Sequence, residues 1–325
     1  MYRYFKVIPI PMSGMMLAFI VLGNLFHQLA YHVIGHVAFF IGILLFTSLI
    51  GKAIFAWSSL IQEMKNPIIA SVSPTFTMGT MSISNGLHTY HVNEWIIHAI
   101  WIVAAALQVV IIVYFIKSFI WKKKVTMLTI FPSWLILFVG TAVMPLTAGD
   151  LSNVVTKFVV IFAIVAFLVL VPIVITRGFI RKDLPEPTIP MVTILTAPAS
   201  LSLAAYLKQF DGQLPIAIAL FTIAVMLFIA VLSKLPSMLR IPFYPSYAAF
   251  TFPLVITATA TNSFIELLAE HGKSYVWLDL LATFQLIFAT MIVCYVLVRY
   301  INYLVFQLKE LRMREKTKEQ TAELT

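Results

Sequence analysis

Charge is scarce in this chain. Of its 325 residues, 11% are charged, with 13 acidic and 22 basic side chains. Soluble domains carry about 25%. That shortage excludes a soluble enzyme and a disordered chain. It also excludes a nucleic-acid-binding domain, despite the formal net charge of +9. Cysteine is almost absent. Cys294 stands alone, so no intrachain disulfide can form. The sequence also lacks what an intramembrane enzyme needs: paired aspartates, a Ser–His pair at depth, or an H-E-x-x-H zinc motif. No cofactor or metal site is expected. The spacing of His27, His32 and His36 does not read as a zinc site, and His88 with His91 supplies two ligands at most.

Apolar sequence dominates instead. Hydrophobic residues make up 61% of the chain and the mean hydropathy is +0.97. A helix crosses about 30 Å of hydrocarbon with about 20 apolar residues. The pattern predicts an all-α polytopic membrane protein with ten spans, near 12–29, 34–57, 68–87, 95–119, 132–148, 154–176, 190–207, 214–233, 244–268 and 276–303. The stretch after Pro11 is expected to be the first span, not a cleaved leader. Residues 1–308 form the membrane domain and 309–325 a charged tail, mixed in sign.

Basic residues test this topology. All but three of the 22 fall in alternate loops or at the termini; the exceptions are Lys157, Lys208 and Lys273. Translocating positive charge is disfavoured. Both termini are therefore expected in the cytoplasm, with the chain in the plasma membrane. Lys52 and Lys157 lie near the ends of even-numbered spans and are expected to snorkel to the interface. The loop Lys122–Lys124 could attract anionic lipid, although topology suffices to explain it.

The spans alternate in kind. Even-numbered spans are bulky and apolar. Odd-numbered spans carry proline with small or hydroxyl residues. Pro11, Pro74, Pro132, Pro198 and Pro253 follow one another at 63, 58, 66 and 55 residues. A period of about 60 residues suggests five helical hairpins. Proline and hydroxyl groups are costly against lipid, so these helices belong inside. The pattern predicts five inner helices around a central pathway, enclosed by five outer ones. Tight helix packing is the alternative use of the small residues.

Several motifs carry a family resemblance. They are Pro9-Ile-Pro-Met-Ser-Gly14, Leu22-Gly-Asn24, Pro132-Ser-Trp134, Ala197-Pro-Ala-Ser-Leu-Ser-Leu-Ala-Ala-Tyr206 and Tyr247-Ala-Ala-Phe-Thr-Phe-Pro253. In this order and spacing the chain resembles the tellurite-resistance/dicarboxylate transporter family, which includes the plant guard-cell slow anion channels. The resemblance implies a quasi-five-fold ring of hairpins, a homotrimer with one pore per subunit, and conduction of small inorganic or organic anions. It also implies that Phe252 occludes the pore, with Phe250 as the neighbouring alternative.

Periodicity extends the Phe252 stripe through Val255 or Ile256 to Thr259, Ser263 and the carboxylate of Glu266 at the outer mouth. On other inner helices the candidates for lining the pore are Gly14, Thr75, Gly79, Ser82, Gly140, Thr141 and Ser202. Pro74, Pro145, Pro198 and Pro253 are expected to kink the inner helices. No ionisable residue falls convincingly at the middle of an inner span, which favours weak binding and passive permeation. A proton-coupled malate-type carrier or a tellurite exporter is the alternative, with Glu266 the carboxylate to test. All seven histidines fall on the outer side, which raises an external pH effect.

Overall fold

The computed structural model describes residues 2–122, 125–210 and 213–323. Lys123 and Lys124 of the basic loop lie outside the described residues, as do the side chains of Arg3, Arg312 and residues 314–323. The described residues are helical and contain no strand.

The chain opens with a short helix α1 (Tyr2–Lys6), then α2 (Met12–Gln28) and α3 (His32–Phe55). Next come α4 (Trp57–Met64), α5 (Pro67–Val72), α6 (Pro74–Leu87) and α7 (Glu94–Phe115). The middle holds α8 (Trp134–Phe138), α9 (Val143–Thr147) and α10 (Val154–Ile175). The rest is α11 (Ala197–Gln209), α12 (Leu214–Met238), α13 (Phe252–Glu270) and α14 (Val276–Glu323). The expected boundary between membrane domain and tail falls inside α14. Asparagine caps mark several starts: Asn66 for α5, Asn93 for α7 and Asn153 for α10, each accepting from a first-turn amide.

Seven helical stretches are long and apolar enough to cross a membrane: His32–Phe55, Glu94–Trp121, Val154–Arg181, Glu186–Gln209, Leu214–Met238, Pro245–Glu270 and Val276–Leu311. Met12–Gln28 and Trp134–Thr147 are apolar but shorter. The third expected span is divided at Ser73 into α5 and α6. Exposed Val103, Phe158, Ile161, Met226 and Phe284 belong to an apolar surface unsuited to water. The chain is an integral membrane protein.

Burial separates the two kinds of helix. The most apolar windows of Glu186–Gln209 and Pro245–Glu270 are 94% and 67% buried, against 17–39% for the other five. The buried class follows a closed circuit of contacts. α2 packs on α6, α6 on α9, α9 on α11, α11 on α13, and α13 on α2. Each also packs on the helix that follows it: α3, α7, α10, α12 or α14.

The α2–α3 turn carries strain. Ala30 sits at φ 63°, where a β-carbon crowds the backbone. Ala30→Gly relieves that crowding, so the protein is expected to gain up to about 1 kcal/mol. A rise in the midpoint of thermal unfolding in detergent checks this.

Candidate functional site

Residues from all five buried segments line one cavity. Pro11 and Gly14 come from the first, and Val72, Thr75 and Met78 from the second. Leu135, Ile136, Val139 and Gly140 come from the third, and Met191, Ile194, Ala197, Pro198 and Leu201 from the fourth. The fifth gives Ser246, Ala248, Ala249, Phe252 and Pro253. The cavity is narrow, with a volume of about 40 Å³. Its lining contains no charged side chain.

The cavity lies at the level where the helices are jointed. α2 starts directly after Pro11. α5 gives way to α6 at Ser73-Pro74. A 3-10 turn, Val139–Ala142, separates α8 from α9. Two longer 3-10 stretches, Glu186–Thr196 and Pro245–Phe250, precede α11 and α13. Pro74, Pro198 and Pro253 stand in the first turns of α6, α11 and α13. They stand where one helical piece gives way to the next, where the amide they lack would go unbonded anyway. Pro145 lies inside α9, off the cavity lining, and its carbonyl accepts from Gln209 at 2.7 Å.

Four helix N-termini, those of α2, α6, α11 and α13, therefore border the cavity. Each brings a partial positive charge. At α2, the amides of Met12, Ser13 and Gly14 already bond the carbonyls of Pro9, Ile10 and Pro11 at 3.0 Å. That helix offers the cavity a favourable field for an anion, without loose donors.

The hydroxyl groups lie largely in the seams. Ser13 and Thr75 join the first and second segments at 2.6 Å. Ser71 donates to Ser133 between the second and third at 2.7 Å. Gln209 bridges the third and fourth through the Pro145 carbonyl. Thr257 reaches the Thr196 carbonyl between the fourth and fifth at 3.4 Å. Thr251 donates to the Gly14 carbonyl at 3.2 Å and closes the circuit. A buried polar group needs such a partner, which is why these residues meet at helix contacts. Further out, Thr77 pairs with Gln108 at 3.0 Å and Thr261 with Gln285 at 2.7 Å. Ser13, Ser133 and Thr251 stand in the sequence motifs, but neither they nor Ser71 and Gln209 were among the expected site residues. A hydroxyl near each repeated proline was the available signal.

Of the expected site residues, Gly14, Thr75, Gly140, Pro198, Phe252 and Pro253 meet at the cavity. Gly79, Ser82, Thr141, Ser202, Thr259 and Ser263 do not line it. At Gly79 an added β-carbon would lie 2.1 Å from Met16 Cε, so this glycine makes room for the end of that side chain. The Ser82 carbonyl accepts from Asn24 at 3.0 Å. Thr141 and Thr259 donate within their own helices, to Phe138 at 2.7 Å and Val255 at 3.2 Å. Ser202 is fully buried, and its hydroxyl meets no hydrogen-bond partner among the described residues. Ser263 is half-buried. Glu266 is exposed, near the far end of α13, and accepts from Gln28 at 2.8 Å.

Lys52 departs from the expected snorkelling. It is 1% exposed and pairs with Glu63, whose other oxygen accepts from the Ile10 amide at 3.3 Å. A lysine with a fixed counterion need not reach the interface. Lys157 is exposed at the start of α10, with its ammonium 5.8 Å from the centre of the Phe210 ring. Three histidines gather at the α2–α3 turn. His27 and His32 approach to 3.4 Å, and the rings of His27 and His36 lie 4.4 Å apart. His36 also meets Tyr90 at 2.9 Å, and burial pushes the Tyr90 phenol above its ordinary value. Among the described residues, no group of three His, Cys, Asp or Glu side chains is placed to hold a metal ion.

The family profile of voltage-dependent anion channels matches residues 8–301. The chain belongs to this family. The match spans every motif on which the resemblance rested, from Pro9 to Pro253, and every residue of the cavity lining. Membership makes this an anion-transporting membrane protein, in a family of channels and transporters, not of enzymes. Among curated proteins, none matches the chain.

Proposed function

We propose that this protein is a passive anion channel in which five hairpins span the plasma membrane ten times and surround the jointed cavity. The observation that carries this reading is the cavity itself: five buried segments supply its walls, and none supplies a charge. In this reading Phe252 occludes the pathway, both termini are cytoplasmic, and three subunits associate with one pore each. The resemblance and the distribution of basic residues support these last points.

The lining suggests how anions are ranked. Of its side chains, Thr75 and Ser246 bear hydroxyls, and both donate to protein carbonyls, those of Val72 at 2.8 Å and Pro187 at 2.5 Å. An entering anion sheds water and gains few hydrogen bonds in return. Weak replacement of hydration makes desolvation the main barrier. The order of permeation is therefore expected to be thiocyanate, then nitrate, then chloride, with malate lowest.

Flux of these four anions into liposomes containing the purified protein tests this order. A malate rate above that of chloride, dependent on a proton gradient, would overturn the channel reading in favour of the carrier. The carrier has less support here. Glu266, its candidate carboxylate, is exposed and stands 14 residues past Phe252, near the other end of α13.

A further inference from the structure

The segments leading into the inner helices are tethered in a recurring way. In the first hairpin, Lys52 near the end of α3 donates to the Ile8 carbonyl. In the second, Tyr114 near the end of α7 donates to the Met64 carbonyl at 3.1 Å. In the third, Arg177 just past α10 donates to the Ile130 carbonyl at 2.7 Å. In the fifth, Tyr300 on α14 donates to the Pro245 carbonyl. Each bond runs from an outer helix back to the lead of its own hairpin. The partners are separated by 44, 50, 47 and 55 residues. The separations are similar, although the acceptors stand at 3, 10, 2 and 8 residues before Pro11, Pro74, Pro132 and Pro253.

The fourth hairpin uses a variation. There the Pro187 carbonyl accepts from Ser246, which belongs to the lead of the fifth. Tyr244 in that same lead donates to Glu186 at 2.9 Å.

The donors differ as residues, yet they share one property. Each is a long side chain ending in an N–H or O–H that reaches a carbonyl near the start of an inner segment. Two are basic, and both are already paired. Lys52 has Glu63, and Arg177 has Asp183 at 2.9 Å. Lys52 and Arg177 are 1% and 2% exposed. They are therefore poorly placed to draw anions from solution. Their geometry instead fixes backbone. Ile8 precedes the lining residue Pro11, Ile130 precedes Leu135, and Pro245 adjoins Ser246.

We propose that Lys52, Tyr114, Arg177 and Tyr300 are positioning residues that set the bore of the cavity by holding the leads of the inner helices. As a statement about permeation, this rests on the channel reading above. Tyr300→Phe isolates the effect. It deletes the tether to Pro245 and keeps the ring, which packs edge-on against Phe243 with centroids 5.1 Å apart. Tyr114→Phe does the same in the second hairpin.

Two measurements test the proposal. In the first, both substitutions are made in a Phe252→Ala background and the nitrate-to-chloride flux ratio is read in liposomes. Each is expected to shift that ratio by about threefold to tenfold, the scale of one lost hydrogen bond. Arg177→Lys, which keeps a donor and a charge, is expected to shift it less than Arg177→Met. In the second, Ala249→Cys on the cavity wall is labelled with a small thiol reagent in a Cys294→Ser background. Adding Tyr300→Phe is expected to change the labelling rate by a similar factor. An unchanged flux ratio and an unchanged labelling rate in folded protein would overturn the proposal. If Phe252→Ala alone carries no flux, the channel reading fails, and the labelling rate still decides whether the tether sets the cavity wall.

Discussion

Phe252→Ala is expected to raise anion flux through the reconstituted protein by about tenfold or more, a change of at least 1.4 kcal/mol in the barrier. The ring is 6% exposed and lines the cavity together with Gly14 and Gly140. It is carried by the first residue of α13. Thr251 holds that start by donating to the carbonyls of Ala248 and Gly14, and Pro253 presets the following turn. Truncation therefore enlarges the lumen while the backbone that shapes it stays anchored. Phe250→Ala is the matching control. Phe250 is fully buried, packs edge-on against Tyr247 at 5.0 Å, and does not line the cavity. Its loss is expected to lower stability by about 3–5 kcal/mol without opening a path. Equal flux from the parent and Phe252→Ala, with both proteins folded, would remove Phe252 from the occluding role.

The second large effect is on folding. Gly23→Leu is expected to abolish well-folded protein. A β-carbon at Gly23 would lie 2.9 Å from the Phe39 amide nitrogen and 3.0 Å from the Gly35 carbonyl oxygen. Both obstacles are backbone of α3, so neither can rotate away. Overpacking of this kind costs about 1–3 kcal/mol and occasionally more. Gly23→Ala is expected near the lower end and Gly23→Leu beyond the upper. Gly42 offers a comparison. There the closest atoms are Ile20 Cδ1 and Cγ1 at 2.5 and 2.7 Å, in a side chain that can turn, and the one backbone atom, the Ile20 nitrogen, lies further off at 3.1 Å. Gly42→Ala is expected to be milder than Gly23→Ala. Thermal unfolding in detergent and monodispersity in size-exclusion chromatography read both. If Gly23→Leu melted with the parent, the tight α2–α3 crossing would be disproved.

What could be read from sequence followed from solvent and backbone chemistry. Scarce charge and abundant apolar residues specify a membrane environment whatever the arrangement of the helices. The repeated prolines at 11, 74, 198 and 253 mark the joints because a residue without an amide is best accommodated where a helix begins. Pro132 belongs to the same series, yet the third joint falls after it, at Val139–Ala142. Bulky outer helices and small, polar inner ones were separable because lipid tolerates one kind and not the other.

Which faces meet was decided by tertiary structure. Periodicity assigns a side chain to a stripe, but each joint resets the phase of the helix, and neighbouring helices divide that stripe among themselves. Along α13 the stripe of Phe252, Val255, Ile256, Thr259, Ser263 and Glu266 reaches the cavity at Phe252 alone. Val255 and Ile256 are fully buried in the core, and Glu266 is exposed beside Gln28. Of the hydroxyls expected to face the lumen, Thr75 lines the cavity and also meets Ser13 in a seam, whereas Thr141 and Thr259 donate to carbonyls three and four residues back in their own segments. Lys52 shows the same division. Its charge near a helix end was legible in the sequence, but Glu63 and the Ile8 carbonyl make it a buried tether. Composition and backbone chemistry determined the membrane setting, the alternation of helices and most of the joints. Only the packing of five jointed helices against one another decided which atoms line the cavity, because partners distant in sequence must meet before a buried polar group can be satisfied.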